Sequence, residues 1–456
     1  MSRALHIIVL AAGDGTRMRS KLPKVLLPVG GKTMLAHVLD TAKRLDAAGI
    51  HVVYNPEHQK VREAIEAAGA RAVPQSERLG TGHAVAQAVP GVAEGSRVLV
   101  LYGDLPLLRP ESLGGLLGID EDALGVLTFR APDPSGYGRI VRNADDRITA
   151  IVEERDASEA ERAIDEVNSG ILACPAERLR TWIEAIGNDN AQREYYLTDV
   201  VAVAVGQGAR VEAVQADDPA ALSGANDRAQ LAELEAQLRT RRANRLMAQG
   251  VSIADPERID IRGRVQAGAD VQLDVNVVLE GQNVLGEGSR IGPGCVLRDC
   301  ELAPGTRVHP YSVLEGARTL GACDIGPFAR LRPGTELGTA SRVGNFVEVK
   351  NAVMGENSKA SHLSYLGDAT IGRDVNIGAG TITCNYDGAN KHRTEIGDGV
   401  FIGSDTQLVA PVSIGDDANI GAGSTITKDA PAGKLTLSRS KQVTVDGWKR
   451  PRKKES

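Results

Sequence analysis

A glycine-rich segment near the start of the chain has the residue types of a phosphate site. Residues 10–18 read LAAGDGTRM and follow an apolar run, with Arg17 inside the segment and Lys24 seven residues later. A dinucleotide fingerprint would need glycine at Met18, and a Walker A motif ending in GKT would need one at Leu26. What remains is a cradle of backbone amides with two cations, which suits a triphosphate. The alternative is a tight turn with two solvated cations.

Two further segments could complete this site. Asp104 follows the apolar run Arg97–Tyr102, and a carboxylate at the end of a buried strand suits a hard cation such as Mg²⁺. A helix N-cap or a turn aspartate is the alternative. Residues 79–84, LGTGHA, open a helix with small residues, so a nucleobase or sugar could approach its backbone. We expect His83, within this segment, to be structural.

A separate polar group in the second half suits acyl transfer. Acetyl transfer to an amine needs a base for the ammonium proton and donors for the tetrahedral oxyanion. His362 is the candidate base, because imidazole titrates near neutral pH, and Arg332 and Lys350 suit a sugar phosphate. A structural histidine and solvated cations at coil corners are the alternatives. The group lies in an irregular region and comprises Arg332, Lys350, His362, Tyr365, Asn376, Asn385 and Tyr386.

The first half of the chain alternates between strand and helix patterns. This alternation predicts a doubly wound, Rossmann-like α/β domain, in which helices cover both faces of a mostly parallel sheet. Ligands bind beyond the carboxyl ends of the strands in such sheets. The predicted helices are 34–48 and 58–68, and the predicted strands are 6–12, 50–54, 97–102, 124–130, 148–152 and 170–173.

A six-residue period in the second half predicts a left-handed parallel β-helix of hexapeptide repeats. Aliphatic residues precede glycine at positions whose successive intervals are multiples of six in seven of ten cases. The aliphatic residue should point into a narrow prism, and the glycine should permit the corner between strands. Intervals of 34, 28 and 19 residues predict excursions from the prism. The aliphatic positions are Leu285, Ile291, Ile325, Leu337, Val343, Ile371, Ile377, Ile396, Ile402, Ile414 and Ile420.

A Gly- and Pro-free stretch separates the two patterns. Residues 226–249 place Leu231, Leu234 and Leu238 on one face and predict a helix of about 36 Å at 1.5 Å per residue. It could connect two domains or lie on the surface of the first. The predicted organisation is an α/β domain over 1–226, a linker helix over 227–250 and a hexapeptide-repeat domain over 251–456.

Composition excludes other classes of protein. The 456 residues have a net charge of −6 and 3% aromatic residues, which disfavours a general nucleic-acid binder. No apolar run reaches the ~18–20 residues that span a bilayer. The N-terminal apolar stretch is typical of a buried strand and not of a signal peptide. The five cysteines form no C-x-x-C pair, which favours reduced thiols and a cytoplasmic location over a cysteine-based zinc site.

The motifs resemble, in order, those of the nucleotidyltransferases that make nucleotide sugars. LAAGDGTRM followed by LPK at 22–24 resembles the signature loop of that family. With the hexapeptide domain, nearly the whole chain resembles the bacterial bifunctional N-acetylglucosamine-1-phosphate uridylyltransferase / glucosamine-1-phosphate N-acetyltransferase family. Ser169 departs from the pattern, which usually has threonine there. The later motifs are LGTGHA at 79–84, YGD at 102–104, GYGRI at 136–140, IVE at 151–153, NSG at 168–170 and GAN at 224–226.

The resemblance implies that the first domain transfers UMP from UTP to N-acetylglucosamine 1-phosphate and releases pyrophosphate. Arg17 and Lys24 would stabilise the pentacoordinate α-phosphorus, and Asp104 with Asn226 would hold Mg²⁺. The implied nucleotide contacts are Leu10, Ala11, Ala12, Gly13, Gln75 on the uracil edge, Gly80, Thr81, Tyr102 and Gly103, and the implied sugar contacts are Gly138, Glu153 and Asn168.

The resemblance also implies that the solenoid first acetylates glucosamine 1-phosphate with acetyl-CoA, using His362 as the base. Family members are trimers with acetyl-transfer sites between solenoids, so we expect a homotrimer. The basic tail at 448–454 could by itself be a disordered solubility tail or an RNA-binding segment, and the resemblance implies that it docks near a neighbour's CoA site. Arg332, Lys350, Tyr365 and Asn376 would bind the sugar phosphate, and Ala379, Asn385, Tyr386, Ser404, Ala422 and Arg439 would line the acetyl-CoA groove.

Two other functions are compatible with part of this pattern. A single-activity sugar-nucleotide pyrophosphorylase with a structural or regulatory β-helix would not need His362, Tyr365 or the Asn385-Tyr386 pair. A binding protein with a trimerisation module would not need Lys24 and Asp104.

Overall fold

The computed structural model describes residues 3–453, which form two compact units, one ending at Leu238 and the other beginning at Arg239. The first unit contains a nine-stranded sheet whose main path runs β9-β5-β8-β4-β1-β2-β3. Strand β8 is antiparallel to β4 and β5, and the other pairs on this path are parallel. The strands are β1 Leu5–Leu10, β2 Gly49–Tyr54, β3 Arg71–Pro74, β4 Arg97–Tyr102, β5 Leu124–Arg130, β6 Arg139–Arg142, β7 Ile148–Val152, β8 Glu166–Pro175 and β9 Val211–Gln215.

Helices cover both faces of this sheet, as the alternation predicts. Ile8 and Leu10 of β1 pack into one buried cluster, and Ile7 and Val9 pack into another on the opposite face. Among residues 3–453, no helix is long and apolar enough to cross a membrane. The helices are α1 Met34–Lys43, α2 Gln59–Ala67, α3 Thr81–Ala88, α4 Gly114–Leu117, α5 Glu159–Arg162, α6 Ala176–Ala185, α7 Asp199–Gly206 and α8 Arg228–Ala248.

The predicted boundaries of three first-unit elements were wrong. Strand β8 runs from Glu166 to Pro175 instead of over 170–173. Helix α1 ends at Lys43 instead of residue 48, because Arg44 caps it and Asp46 turns the backbone to a φ of +49°. Strand β1 ends at Leu10 instead of residue 12. Residues 11 and 12 are buried but are not part of the strand, so the glycine-rich segment begins directly after Leu10.

The second unit is a parallel β-helix of three hydrogen-bonded ladders. Asp260–Ala267 and Val278–Leu285 begin ladders two and three. Ladder one comprises Ser252–Ile253, Gln272–Leu273, Arg290–Ile291, Arg307–Val308, Asp324–Ile325, Arg342–Asn345, Lys359–His362, Asn376–Ile377, Phe401–Ile402, Asn419–Ile420 and Leu435–Thr436. Ladder two continues with Val296–Arg298, Val313–Glu315, Arg330–Leu331, Glu348–Lys350, Tyr365–Gly367, Ile382–Cys384, Gln407–Val409 and Thr425–Ile426. Ladder three continues with Glu301–Leu302, Ala317–Thr319, Thr335–Leu337, Val353–Met354, Ala369–Ile371, Thr394–Ile396 and Val412–Ile414.

The eleven aliphatic residues that mark the hexapeptide period are all buried in one core, as predicted. The reason for the following glycine differs from the expected one. Most of these glycines have ordinary backbone angles, but a Cβ would strike the next coil, as at Gly378, where it would lie 2.6 Å from the Ser404 nitrogen. Glycine is therefore needed for the close approach of coils, and only Gly326 among the eleven has a positive φ.

Two of the three predicted excursions were wrong. Ladder one runs without a break from Ile291 through Val308 to Ile325, so the 34-residue interval contains regular coils in which His309 replaces the glycine. The 28-residue interval from Val343 to Ile371 also contains regular strands. The 19-residue interval does contain an insertion, because Thr370 pairs with Glu395, 25 residues later, where neighbouring pairs are 17 or 18 apart.

Helix α8 contains the boundary between the two compact units. In the first unit, Leu234 is buried with Leu231 and Leu238 packed beside it. In the second, Ala243 and Leu246 belong to the β-helix core. The separate linker predicted over 227–250 stays a prediction about how the chain is organised.

A buried histidine pair joins the first two strands of the sheet. His6 Nδ1 lies 3.2 Å from His51 Nε2, and their rings are stacked with centroids 5.5 Å apart. Burial, followed by the charges of His6 and Arg71, lowers the pKa of His51 to about 4. Burial also lowers the pKa of His6. Both imidazoles are therefore neutral in the folded chain near pH 7.

We expect His51 to make the first unit sensitive to acid. Its folded pKa lies below the unfolded value near 6.5, so its contribution to stability is present above pH 6.5 and is lost as the pH falls toward 4. The free energy of unfolding should drop by about 1–2 kcal/mol between pH 7 and pH 5 through this group. His51→Gln should remove that part of the pH dependence in urea unfolding.

Tryptophan fluorescence measures this unfolding because Trp182 is buried in the first unit, whereas Trp448 is exposed. His392→Gln in the second unit is the control. Equal pH dependence in His51→Gln and the unsubstituted chain would contradict the prediction.

Candidate functional site

A cavity of about 280 Å³ opens at the carboxyl ends of the first-unit strands. It follows β1 through residues 10–13, β3 through Gln75, and β4 through Tyr102 and Asp104. Parallel pairing brings these strand ends to one edge of the sheet. The cavity thus collects the nucleotide contacts that the sequence predicts, except Gly103, whose N–H donates to the Leu10 carbonyl at 2.9 Å.

Gln75 is oriented by its neighbours within this cavity. Its side-chain amide nitrogen is 3.2 Å from the Gly80 carbonyl and 3.1 Å from His83 Nδ1. His83 Nε2 in turn lies 3.2 Å from the Gln87 amide, so His83 is structural, as expected. With the nitrogen engaged, the Gln75 side-chain oxygen is the group left to accept a hydrogen bond from a ligand.

The start of helix α3 forms the opposite wall. Gly80 has a φ of +109°, and a Cβ there would lie 2.5 Å from the Tyr195 carbonyl oxygen. The Thr81 hydroxyl accepts a hydrogen bond from the Leu197 N–H at 3.0 Å. These contacts fix the backbone of the LGTGHA segment against residues 194–197.

A second cavity of about 550 Å³ shares Tyr102 and Asp104 with the first. Arg17, Glu153 and Asn226 also line it. Glu153 accepts a hydrogen bond from Thr198 Oγ1 at 2.9 Å, and burial raises the pKa of its carboxyl group. These walls offer hydrogen-bond acceptors on one side and the Arg17 guanidinium on another.

The remaining two predicted sugar contacts lie near Glu153. The Asn168 N–H donates to the Gly138 carbonyl at 2.8 Å, which ties β8 to the GYGRI segment. Asn168 lines a small adjoining cavity with Tyr102 and Thr198. A Cβ on Gly138 would lie 3.6 Å from the Glu153 carboxyl carbon.

Lys24 joins the two predicted metal ligands at the boundary of the cavities. Its ammonium lies 2.5 Å from Asp104 Oδ2 and 3.1 Å from Asn226 Oδ1. A carboxylate and an amide oxygen fit Mg²⁺, which takes its other ligands from water and phosphates. Among residues 3–453, no cluster of three or more His, Cys, Asp or Glu forms a closed metal cage. This donor set therefore suits a cation that arrives with a phosphate ligand.

The cationic end of the second site lies on ladder two of the β-helix. Arg332 donates to Glu348 at 2.8 Å, and Lys391 and then Arg332 lower the pKa of Lys350. Three cations thus converge next to two carboxylates, Glu348 and Asp368. This excess of positive charge suits a phosphate dianion.

A hydrogen-bonded network adjoins these cations. The Asn385 amide donates to Asp368 Oδ2 at 2.5 Å and to the Tyr365 hydroxyl at 3.4 Å, and Asn351 donates to Asp368 Oδ1 at 2.5 Å. Burial opposes ionisation of Asp368, but these two amides and the nearby lysines outweigh it and lower its pKa. The ionised Asp368 therefore fixes the orientation of Asn385.

His362 is paired with an asparagine of the preceding coil. Its Nδ1 lies 2.7 Å from Asn345 Oδ1, and the two residues are in register on ladder one. Because an amide oxygen only accepts, the neutral ring donates from Nδ1 and leaves Nε2 free to take a proton.

The expectation that this group lies in an irregular region was wrong for most of its members. Arg332, Lys350, His362 and Tyr365 lie on or beside regular strands of successive coils. The insertion between Cys384 and Thr394 holds Asn385 and Tyr386 instead. In that hairpin, Tyr386 bridges to Lys391, and Asp387 accepts hydrogen bonds from the Ala389 and Asn390 N–H groups and pairs with His392.

The predicted acetyl-CoA positions follow in later coils. Asn376, which was predicted to contact the sugar phosphate, precedes them on ladder one between Lys359 and Phe401. The Ala379 and Ser404 carbonyls accept hydrogen bonds from Asp405 and Gly423, one coil on in each case. Arg439 donates to the Ala422 carbonyl at 3.0 Å. These residues all follow Asp368 in the sequence and lie on later coils of the solenoid. Residues 448–453 are exposed, and Lys454 of the predicted tail contact lies outside the described residues.

Sequence reasoning missed several residues of both sites. Arg78 lines the first cavity, the one that contains Gln75, and forms an ion pair with Asp14 of the glycine-rich segment. Asn345 joins the second site through His362 of the next coil, and Glu348 joins it through Arg332 of the preceding coil. Lys391 reaches Lys350 from the inserted hairpin. The ladder period of 17 or 18 residues could have pointed to Asn345, since it lies one coil before His362.

Comparison with known proteins matches the two halves of the chain to two different family models. Residues 7–167 match the MobA-like NTP transferase domain, and residues 393–428 match the bacterial transferase hexapeptide (six repeats). The chain is 56% identical to the bifunctional protein GlmU of Alkalilimnicola ehrlichii over 99% of this chain and 97% of that one. It is 53% identical to that of Marinobacter nauticus, over 98% of this chain and 99% of that protein.

The chain belongs to the bifunctional GlmU family. It is a uridylyltransferase and an acetyltransferase that makes UDP-N-acetylglucosamine. The single-activity and non-enzymatic alternatives are therefore set aside.

A substitution at Gly80 tests whether the start of helix α3 forms one wall of the UTP site. Gly80→Ala should raise the KM for UTP about tenfold or more, because the strained backbone and the clash with Tyr195 must displace the start of α3. Gly95→Ala is the matched control, since Gly95 also has a positive φ but faces open space. If the KM for UTP stayed near the unsubstituted value in Gly80→Ala as well as in Gly95→Ala, the start of α3 would not be part of the UTP site.

Proposed function

We propose that the two first-unit cavities bind the two substrates of uridylyl transfer on either side of Lys24 and Asp104. UTP occupies the cavity beside Gln75, and N-acetylglucosamine 1-phosphate occupies the cavity beside Glu153. Asp104 and Asn226 hold Mg²⁺, which neutralises phosphate charge when it is bound. The observation that carries this proposal is that Asp104 lines both cavities.

The chain's own residues then orient the reacting groups. Gln75 accepts a hydrogen bond from the uracil edge, and the backbone of residues 10–13 supports the nucleotide. Arg17 and Lys24 stabilise the charge on the α-phosphorus while the sugar phosphate attacks and pyrophosphate leaves in line. This arrangement needs no protein nucleophile.

We propose that acetyl transfer occurs at the Arg332–His362 site. Arg332, Lys350 and Lys391 bind the phosphate of glucosamine 1-phosphate, and Tyr365 and Asn376 contact the sugar. His362 Nε2 removes the proton from the attacking amine, while Asn345 holds Nδ1–H. The acetyl-CoA groove follows Ala379, Asn385, Tyr386, Ser404, Ala422 and Arg439. With UTP and acetyl-CoA as substrates, we place the enzyme in the cytoplasm.

Two substitutions should separate the activities. His362→Ala should lower the kcat of acetyl transfer about 100-fold or more and leave uridylyl transfer near normal. Asp104→Ala should do the reverse, because Mg²⁺ loses its charged ligand. His309→Ala, a solenoid histidine bonded to Asp324, is the control. Both kcat values are measured on each preparation, and a joint loss in either variant would contradict separate sites.

We propose that the enzyme is a homotrimer whose solenoids meet near His362. Tyr311, Phe328, Phe346 and Leu363 form an exposed column along one corner, with side-chain exposures of 47–61%. The three rings are stacked 5.4 and 5.3 Å apart, and all four residues have a positive φ. An unfavourable backbone and solvated aromatic surface are both offset if a second copy covers the column. Leu363 follows His362, so that copy would border the acetyl-transfer site.

Phe328→Asp should therefore dissociate the trimer in analytical ultracentrifugation and lower acetyl transfer at least about tenfold, since it buries a charge at the contact. Uridylyl transfer should persist. Leu320→Asp is the control, because Leu320 is 52% exposed outside the column. A monomeric unsubstituted enzyme, or a Phe328→Asp trimer, would refute this arrangement.

A further inference from the structure

The Lys24 ammonium bonds both oxygens that we assign to the metal. It is 2.5 Å from Asp104 Oδ2 and 3.1 Å from Asn226 Oδ1, and the side chains of Lys24 and Asp104 are only 13% and 17% exposed. Two flanking glycines leave room for this pair. A Cβ on Gly15 would lie 2.5 Å from Lys24 Cβ, and one on Gly224 would lie 3.2 Å from Asp104 Oδ2.

We propose that Lys24 competes with the divalent cation for Asp104 and Asn226, and that the nucleotide's phosphates release it. This inference rests on the proposed metal ligands and adds a regulatory role for Lys24. The ammonium bridges Asp104 Oδ2 and Asn226 Oδ1, so it lies where a Mg²⁺ ion bound to both oxygens at about 2.1 Å would have to lie, and the two like charges repel.

Release of Lys24 requires another anion within its reach. Lys24 lines the nucleotide cavity together with residues 10–13, so a triphosphate there offers the ammonium a stronger partner than one carboxylate. Transfer of Lys24 to the phosphates exposes Asp104 just as those phosphates supply further metal ligands. Nucleotide and metal therefore favour each other's binding, and by linkage the effect is reciprocal.

Arg17 offers a matched comparison. It is a second cation that lines the sugar cavity with Asp104, but it is exposed and, among residues 3–453, makes no hydrogen bond or ion pair with Asp104. Removing Arg17 lowers the positive charge near the metal ligands without freeing their oxygens. An effect specific to Lys24 therefore reports competition for the ligands and not general electrostatics.

Binding of Mn²⁺ to the full-length enzyme without nucleotide tests the competition. Free Mn²⁺ is measured by electron paramagnetic resonance for the unsubstituted enzyme, Lys24→Met, Arg17→Met, Asp104→Asn and Lys24→Met/Asp104→Asn. We expect Lys24→Met to bind Mn²⁺ at least tenfold more tightly than the unsubstituted enzyme, which corresponds to about 1.4 kcal/mol. Arg17→Met should change the affinity by less than about threefold. Asp104→Asn should remove the gain made by Lys24→Met.

The outcomes separate this inference from the metal assignment. Equal or weaker Mn²⁺ binding in Lys24→Met overturns the competition, and so does a gain in affinity that persists in Lys24→Met/Asp104→Asn. If Asp104→Asn alters Mn²⁺ binding in neither background, the metal ligands themselves are wrong. Uridine, which has no phosphate, should bind Lys24→Met normally in calorimetry and so shows that the cavity is intact. Lys24→Ala repeats the test if Lys24→Met fails to fold.

Discussion

Parallel strand pairing is the constraint on which both sites depend. In the first unit it aligns the carboxyl ends of β1, β2, β3 and β4, so segments far apart in sequence reach one edge of the sheet. In the second it stacks residues 17 or 18 positions apart on adjacent coils, which brings Asn345 to His362. His362, and the loops that follow β1, β3 and β4, are therefore placed by backbone hydrogen bonds between neighbouring strands.

The two units apply this constraint with different backbones. In the α/β sheet, the loops that follow the strands are not part of the strand pairing. Residues 10–18 can therefore form a cradle of backbone amides, because β1 stops at Leu10. The β-helix instead fixes nearly every residue, since glycines such as Gly378 allow coils to approach closely. The β-helix departs from regular coils at the insertion between Cys384 and Thr394, and its coils otherwise differ in the side chains that face outward. Rigid coils therefore present Arg332 and Lys350, and one ordered hairpin adds Asn385 and Lys391.

Charge pairing is the second feature that the sites share. Lys24 is balanced by Asp104, Arg332 by Glu348, and Asp368 by two asparagine amides and nearby lysines. Such pairs keep partly buried charges compatible with a stable fold, because an isolated charge in the same place would lose much of its solvation. They also leave each charged group close to an alternative partner, such as a phosphate. The binding groups are thus held in place by contacts that a ligand can replace.

The sequence by itself determined the architecture and most of the residues that line the cavity beside Gln75. Hydrophobic periodicity reports local burial, so it located Arg97–Tyr102, Leu124–Arg130 and Ile148–Val152 and the eleven core positions of the solenoid. Only the tertiary structure decided that coils continue where glycine is absent and that Lys24 bonds the oxygens of Asp104 and Asn226. The physical reason is that these features depend on contacts between residues distant in sequence. A strand shows its period locally, but the partner of Lys24, 80 residues away, is set by the packing of the whole sheet.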